Sequence, residues 1–269
     1  MKHPLQLAPD LTGRTALVTG STSGIGRGIA EVLAAAGANV MLHGLEPPDV
    51  REAVRSELAA LGAGRVAVHD ADLNRPDAIE RLIEDTEVSL GPVDILVNNA
   101  GLQHVAPVHE FPVDRWELIQ RVVLQSSFLA IRRVVPAMRQ RNWGRIITIV
   151  SAHGLVASRF KSAYVAAKHG QVGLTRTVAL ELAETPITTN AICPGYVRTP
   201  LVERQIEAQA QAHGLPREAV IRDVILAAQP NRRFVEVEEI AAMVLFLCGP
   251  YANSINGAAL AIDGGWTAC

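Results

Sequence analysis

Short apolar runs rich in β-branched residues recur along the chain and alternate with longer stretches of helical periodicity. The runs are TALVT (15–19), NVMLH (39–43), RVAVH (65–69), VDILVN (93–98), RIITIV (145–150), TTNAIC (188–193) and AALAID (258–263). Apolarity that is continuous along a run, instead of alternating, predicts strands covered on both faces, as in a parallel sheet. Between the runs, 24–37, 49–62, 75–91, 112–141 and 163–184 carry apolar residues at three- and four-residue intervals. The first three of these end in glycine, which closes helices because it tolerates a left-handed backbone. Strand–helix alternation of this kind builds βαβ units with right-handed crossovers and helices on both faces. The pattern predicts one α/β domain over 1–269, a doubly wound parallel sheet of about seven strands with no internal repeat. Residues 198–232 break the rhythm, being polar and helical in pattern between two strands. An insertion after a strand's C-terminal end lies over the ligand crevice of such a sheet, so the segment is expected to form a helical substrate lid.

The chain has 269 residues, 49% of them hydrophobic, which suffices for a sizeable single core. A net charge of −2 leaves no basic excess to attract nucleic acid or an anionic membrane. No run approaches 18 uncharged apolar residues, so no membrane span is expected. The opening MKHPLQLAPDLTGR has no apolar core of a secretion signal. The cysteines are Cys193, Cys248 and Cys269, far apart and without a CxxC pair. Neither a disulfide framework nor a metal site is expected, and free thiols fit a reducing cytoplasm.

The candidate chemistry begins after the first run, at TGSTSGIGRG, with Gly20, Gly24 and Gly26. Glycines between a strand and a helix permit a tight turn and close approach of a phosphate to the backbone. The helix that follows offers its first N–H groups to a pyrophosphate. A second cluster lies in SAHGLVASRFKSAYVAAK (151–168), directly after RIITIV. Tyr164 and Lys168 stand four apart, on one helix face. A nearby ammonium favours the phenolate, so Lys168 is expected to lower the tyrosine pKa and let Tyr164 exchange a proton with an alcohol or carbonyl. Ser151, at a strand's C-terminal end, is placed to hydrogen-bond the substrate oxygen.

TGxxxGxG at 19–26, NNAG at 98–101, a serine thirteen residues before YVAAK (164–168) and CPGYVRTP at 193–200 together resemble the short-chain dehydrogenase/reductase family, from about residue 11 to the C-terminus. The resemblance implies a Rossmann fold and hydride transfer with a nicotinamide cofactor. Ser151, Tyr164 and Lys168 would be the catalytic residues. Cofactor contacts would come from Gly20, Thr22, Ser23, Gly24, Ile25 and Gly26, and from Leu45 after the second strand. Asp72 and Leu73 would meet the adenine. Further contacts would come from Asn99, Ala100 and Gly101, from Tyr164 and Lys168, and from Pro194, Gly195, Val197 and Thr199. NAD is expected over NADP, because Ser23 stands where a basic residue would hold a 2′-phosphate and Arg27 lies inside the helix; no clear carboxylate follows the second strand in HGLEPP to hold a ribose. Val123 stands where the family usually places an asparagine serving a water-linked proton path to the lysine, and valine has no hydrogen-bonding side chain. Gln125, Ser126 or a water takes over, or the relay is weaker.

Four further residues bear on specificity: Gln103, His153, Lys161 and Gln205, with Ser151 and Tyr164 beside them. They offer donors, one or two of them cationic, suited to a small hydroxy or keto acid with a carboxylate near the reacting carbon. The blocks AGLQHVAPV, KSAYVAAKHG and DGGWTA resemble the branch of the family that acts on short 3-hydroxy acids. Trp266 either borders this pocket or packs a subunit interface, and the resemblance implies a homotetramer. Competing expectations are a 3-oxoacyl thioester reductase or polyol dehydrogenase on the same scaffold, and a non-catalytic NAD-binding sensor.

Overall fold

A computed structural model describes residues 8–62, 64–199 and 214–268 and, between these last two, residues 202, 203, 206, 207 and 210. Seven strands form one parallel sheet in the order β3-β2-β1-β4-β5-β6-β7. They are β1 (Thr15–Val18), β2 (Asn39–His43), β3 (Val66–His69), β4 (Ile95–Asn98), β5 (Gly144–Ile149), β6 (Ile187–Pro194) and β7 (Ala259–Ile262). Each lies within two residues of its sequence expectation. The helices are α1 (Gly24–Ala35), α2 (Pro48–Ala59), α3 (Pro76–Leu90), α4 (Val113–Ile119), α5 (Ser126–Arg141), α6 (Ser162–Glu181), α7 (Arg217–Val220) and α8 (Val237–Cys248).

Successive strand residues point to opposite faces and feed two separate cores. Ala16, Val18, Val40, Leu42, Ile95 and Val97 pack with Ile29 and Leu33 of α1, Leu58 of α2 and Ile240 and Val244 of α8. Leu17, Met41, Leu96 and Ile146 pack with Ile79 and Leu82 of α3, Val134 and Met138 of α5 and Val178 of α6. Burial of both sheet faces explains why the strands read as continuous apolar runs. Each fully buried Leu or Ile side chain contributes about 1.5–3 kcal/mol.

Two departures from the sequence expectations bear on the site. The stretch 112–141 is not one helix: a π-helical segment, Gln120–Gln125, separates α4 from α5. The sequence also named no element between 232 and 258, where α8 lies. That helix is nearly apolar all round, which blurs its periodicity, but it opens with a capping box between Glu236 and Glu239. In the 198–232 segment, Val202 and Ile206 form a small core with Val220, Ile225, Leu226 and Phe234, separate from the two sheet cores.

β1 pairs with β2 on one side and β4 on the other, so the chain reverses its direction of winding between these strands. The crevice outside their carboxyl ends is where ligands bind in open sheets of this type.

Candidate active site

At the end of β1 the chain makes a left-handed turn at Gly20 (φ 62°) and another at Gly24 (φ 55°), both at positions where a side chain is strained. Gly26 is fixed by space: a Cβ there would lie 2.2 Å from the Gly20 carbonyl and 2.4 Å from Asn99 Nδ2. The loop is braced from two directions. Asn99 Nδ2 donates to the carbonyls of Thr19 and Gly20, each at 2.9 Å. The backbone N–H groups of Asn99 and Ala100 donate to Thr19 Oγ1. From β2, the buried His43 accepts from the Gly20 N–H through Nδ1 (3.0 Å) and donates from Nε2 to the Ala71 carbonyl (2.7 Å). Burial pushes the His43 pKa down, which keeps the ring neutral and fit to accept. His43 is a support that the glycine spacing alone did not disclose.

Helix α1 begins at this loop with no side-chain cap from Ser23 and no acidic residue in its first turn, so its leading N–H groups are free of side-chain acceptors. They open onto a cleft of about 740 Å³. Gly20, Thr22, Ser23, Gly24 and Ile25 form its floor; Leu45, Asp72 and Leu73 stand at the β2–β3 side; Asn99, Ala100, Gly101 and Thr199 close the other. Gly26 and Pro194 line neither this cleft nor the chamber beside it: Gly26 supports the loop from the buried face of α1 and Pro194 is the buried last residue of β6.

A carboxylate does follow β2, contrary to the sequence expectation. Glu46, one position past Leu45, lines the cleft and accepts a short hydrogen bond from Thr22 Oγ1 in the glycine loop. Proline after proline in EPP hid it among turn residues. Arg27 is held away by Glu31 (2.9 Å) and Glu57 (2.5 Å). Among the described residues lining the cleft there is no lysine or arginine.

Next to it lies a smaller chamber of about 160 Å³, sharing Ile25 and Thr199 with the cleft. It brings together Gln103, Ser151, His153, Lys161 and Tyr164, with Gly195, Val197 and Val202. Gln205 lies outside the described residues. Tyr196 and Trp266 complete the wall as a parallel stack, ring centroids 5.6 Å apart. Trp266 therefore borders the pocket, and Tyr196 is a lining residue that the CPGYVRTP motif contained without marking.

The electrostatics differ from the sequence expectation in two ways. Tyr164 is half-buried in the chamber wall, and loss of hydration pushes its pKa up to about 12, with a hydrogen bond to Ser151 pulling in the other direction. Lys168, 3% exposed, donates from Nζ to the Ile149 carbonyl at 2.8 Å and lies 5.5 Å from the Tyr164 ring centroid. Burial lowers the Lys168 pKa to about 7. The ammonium is thus uncharged where the tyrosine titrates and does not offset the burial of the phenol. His153 is likewise no cation: burial first, then the Lys161 charge, hold its pKa at about 4. Its Nδ1 meets Ser151 Oγ at 3.3 Å and Nε2 meets Ser158 Oγ at 2.8 Å, so the ring fixes the serine in place. Lys161 is the single basic side chain among the described lining residues, its Nζ 5.7 Å from the Tyr196 ring centroid.

A neutral buried histidine makes stability pH-dependent. The unfolded ring takes up a proton near 6.5 and the folded one only near 4, so acidification between those values favours unfolding. At pH 5 the protein is expected to lose about 2 kcal/mol relative to pH 7.5 on account of this ring. Urea titrations of wild type and His153→Gln at both pH values check it: the variant should show a shallower pH dependence, and parallel curves would remove His153 as the cause.

The matched family model, described as enoyl-(acyl carrier protein) reductase, spans residues 20–267. A protein of Rhizobium meliloti named D-beta-hydroxybutyrate dehydrogenase is 52% identical over 95% of this chain and 99% of its own length. One of the same name from Cupriavidus necator is 50% identical over 96% of this chain and 99% of its own. Among solved structures, levodione reductase superposes with a TM-score of 0.88 at 31% identity, covering 96% of this chain and 99% of that one. With the seven-stranded sheet, the glycine cradle and the Ser151–Tyr164–Lys168 arrangement in place, these likenesses establish that the chain belongs to the short-chain dehydrogenase/reductase family.

Proposed function

We propose that the protein interconverts D-3-hydroxybutyrate and acetoacetate with NAD, using Tyr164 as the general acid/base. The observation that carries this reading is the chamber itself: a serine and a tyrosine hydroxyl beside one half-buried cation, opening onto the glycine-loop cleft. A pocket of about 160 Å³ suits a substrate of few atoms, well below the volume that drug-sized ligands occupy. Both relatives at about half identity carry the name of that activity.

The residues divide the work. Lys161 pairs with the substrate carboxylate, and Gln103 and the neutral His153 supply hydrogen bonds. Ser151, positioned by His153, donates to the substrate oxygen. A nicotinamide held by the glycine cradle would supply the hydride acceptor for the carbinol carbon and, while oxidised, a positive charge that favours the phenolate. Tyr164 takes the hydroxyl proton in oxidation and returns it in reduction. Lys168, its Nζ facing the Ile149 carbonyl and the Tyr164 ring, is placed to exchange that proton. The glycine cradle and the uncapped start of α1 fit a pyrophosphate.

NAD is favoured over NADP by Glu46, whose carboxylate repels a 2′-phosphate and accepts from a ribose hydroxyl, and by a cleft without a basic side chain. The same reading includes a homotetramer, supported by Phe128 on α5 and Leu180 on α6, which leave apolar surface exposed. A cytoplasmic place accords with the free buried thiols of Cys193 and Cys248.

Initial rates of NAD⁺ reduction with D-3-hydroxybutyrate, run beside the L-isomer and NADP⁺, test the proposal. Turnover is expected only with the D-isomer, and NAD⁺ should be preferred by about 10²-fold, the effect of placing like charges together. Absence of turnover with D-3-hydroxybutyrate, while NADH binding is seen by fluorescence, would remove the substrate assignment. Equal use of NADP⁺ would remove the role given to Glu46.

A further inference from the structure

The π-helical segment Gln120–Gln125 lies against α6, the helix that carries Tyr164 and Lys168, and glutamine amides tie the two at both ends. Gln120 Nε2 donates to the Ala163 carbonyl at 2.9 Å, one residue before Tyr164. In the other direction Gln171 Nε2 donates to the Val123 carbonyl and to Ser127 Oγ, each at 2.9 Å, while Ser127 Oγ itself donates to the Val123 carbonyl at 2.8 Å. Both amide hydrogens of Gln171 are spent, so the amide has one orientation; turning it over would set its oxygen against a carbonyl oxygen. Its Oε1 then faces away from the π segment. That oxygen is buried and has no hydrogen-bond partner among the described residues, although Gln171 is only 1% exposed.

Leaving a buried acceptor unpaired is costly, so such an oxygen marks a place for a donor. Gln171 is three residues after Lys168, on the same face of α6. Lys168 Nζ has three donors, one of which goes to the Ile149 carbonyl. The substitutes first considered for the missing asparagine do not serve: Gln125 is exposed and Ser126 Oγ donates to Val122 in its own helical turn at 2.6 Å.

We infer that Gln171 is a positioning residue of the proton path: its amide N–H groups hold the π segment against α6, and its Oε1 anchors the water through which the buried Lys168 exchanges its proton. The amide lost at Val123 has been supplied from the facing helix. This inference rests on the dehydrogenase reading. A merely structural Gln171 would affect stability alone.

The test compares wild type, Gln171→Met, and Gln171→Met combined with Val123→Asn, as full-length protein oxidising D-3-hydroxybutyrate. Methionine keeps the length and volume of the side chain and removes both polar ends. Gln171→Met is expected to lower kcat by about 10-fold or more with KM nearly unchanged, to increase the solvent isotope effect on kcat, and to shift its pH profile. Val123→Asn in that background should restore kcat to within a few-fold. Should Gln171→Met not fold, Ser127→Ala frees one amide hydrogen and should move kcat in the same direction by less. A Gln171→Met enzyme with wild-type kcat, isotope effect and pH profile overturns the inference, whatever its melting temperature. Wild type inactive on this substrate would instead fail the functional reading; the inference is then decided by NMR of lysine-labelled protein, where proton exchange at Lys168 Nζ should slow in Gln171→Met and would be unaltered if the inference is wrong.

Discussion

Tyr164→Phe is expected to lower kcat for D-3-hydroxybutyrate oxidation by about 10³-fold while leaving NADH binding within a few-fold of wild type. The substitution deletes one oxygen from a half-buried ring whose other contacts are retained. The ring still packs edge-on against His153, centroids 5.9 Å apart. What is lost is the hydroxyl that hydrogen-bonds Ser151 and that the proposed reaction needs for exchange of the substrate proton. Burial first, and Tyr196 after it, hold this phenol at about 12 against the hydrogen bond to Ser151, so in the free protein it stays protonated at neutral pH and cannot act as a base. Oxidation therefore needs a positive charge beside the ring, and the rate should rise with pH as the phenolate becomes accessible; reduction should not share that rise. Stopped-flow absorbance of the reduced nicotinamide measures the first effect, and fluorescence titration with NADH the second. A Tyr164→Phe enzyme as fast as wild type would withdraw the acid/base assignment and, with it, the reason for Lys168 to be buried.

The sheet was legible because parallel strands covered on both faces carry long apolar runs, as β1, β2, β4 and β5 do; β6 carries the buried polar Thr188, Thr189 and Asn190, and the edge strands β3 and β7 are only partly covered. Helix α8 was not legible, since a segment as apolar as VEEIAAMVLFLC shows little contrast between its faces. The glycine loop and the Ser151–Tyr164–Lys168 spacing were readable because backbone geometry and helix periodicity fix them locally. The features that the sequence hid are long-range. His43 supports Gly20 across 23 residues, Glu46 meets Thr22 across 24, and Gln171 reaches Val123 across 48. Charge states were hidden for the same reason: Lys168 and His153 are ordinary bases by type, and their burial, which no spacing rule reports, lowers the first to about 7 and the second to about 4. The break of the 112–141 stretch at the π segment falls in the same class, because the facing helix α6 supplies the amide that ties it down.

Lys161→Met is expected to raise KM for D-3-hydroxybutyrate by about 10²-fold with a much smaller change in kcat. With His153 neutral, Lys161 is the basic group left in the described chamber wall to balance a carboxylate. Burial lowers its own pKa, so the ammonium gains most when an anion arrives to pair with it. A hydrogen bond to a charged group contributes about 1.5–3 kcal/mol, and tenfold in affinity corresponds to about 1.4 kcal/mol, which sets the expected factor. The carboxylate does not change its charge during hydride transfer. Its partner thus binds ground and transition states alike and belongs in KM, not kcat. A neutral secondary alcohol of similar size, 2-butanol, separates charge pairing from packing: its kcat/KM, though low, should be the same in wild type and Lys161→Met. If the variant lost equally on both substrates, Lys161 would act by shaping the pocket beside Tyr196. If it lost on neither, the carboxylate would have to be held from the 198–232 segment, and the half-buried KSAY stretch would owe its lysine to the cation–π contact with Tyr196 alone.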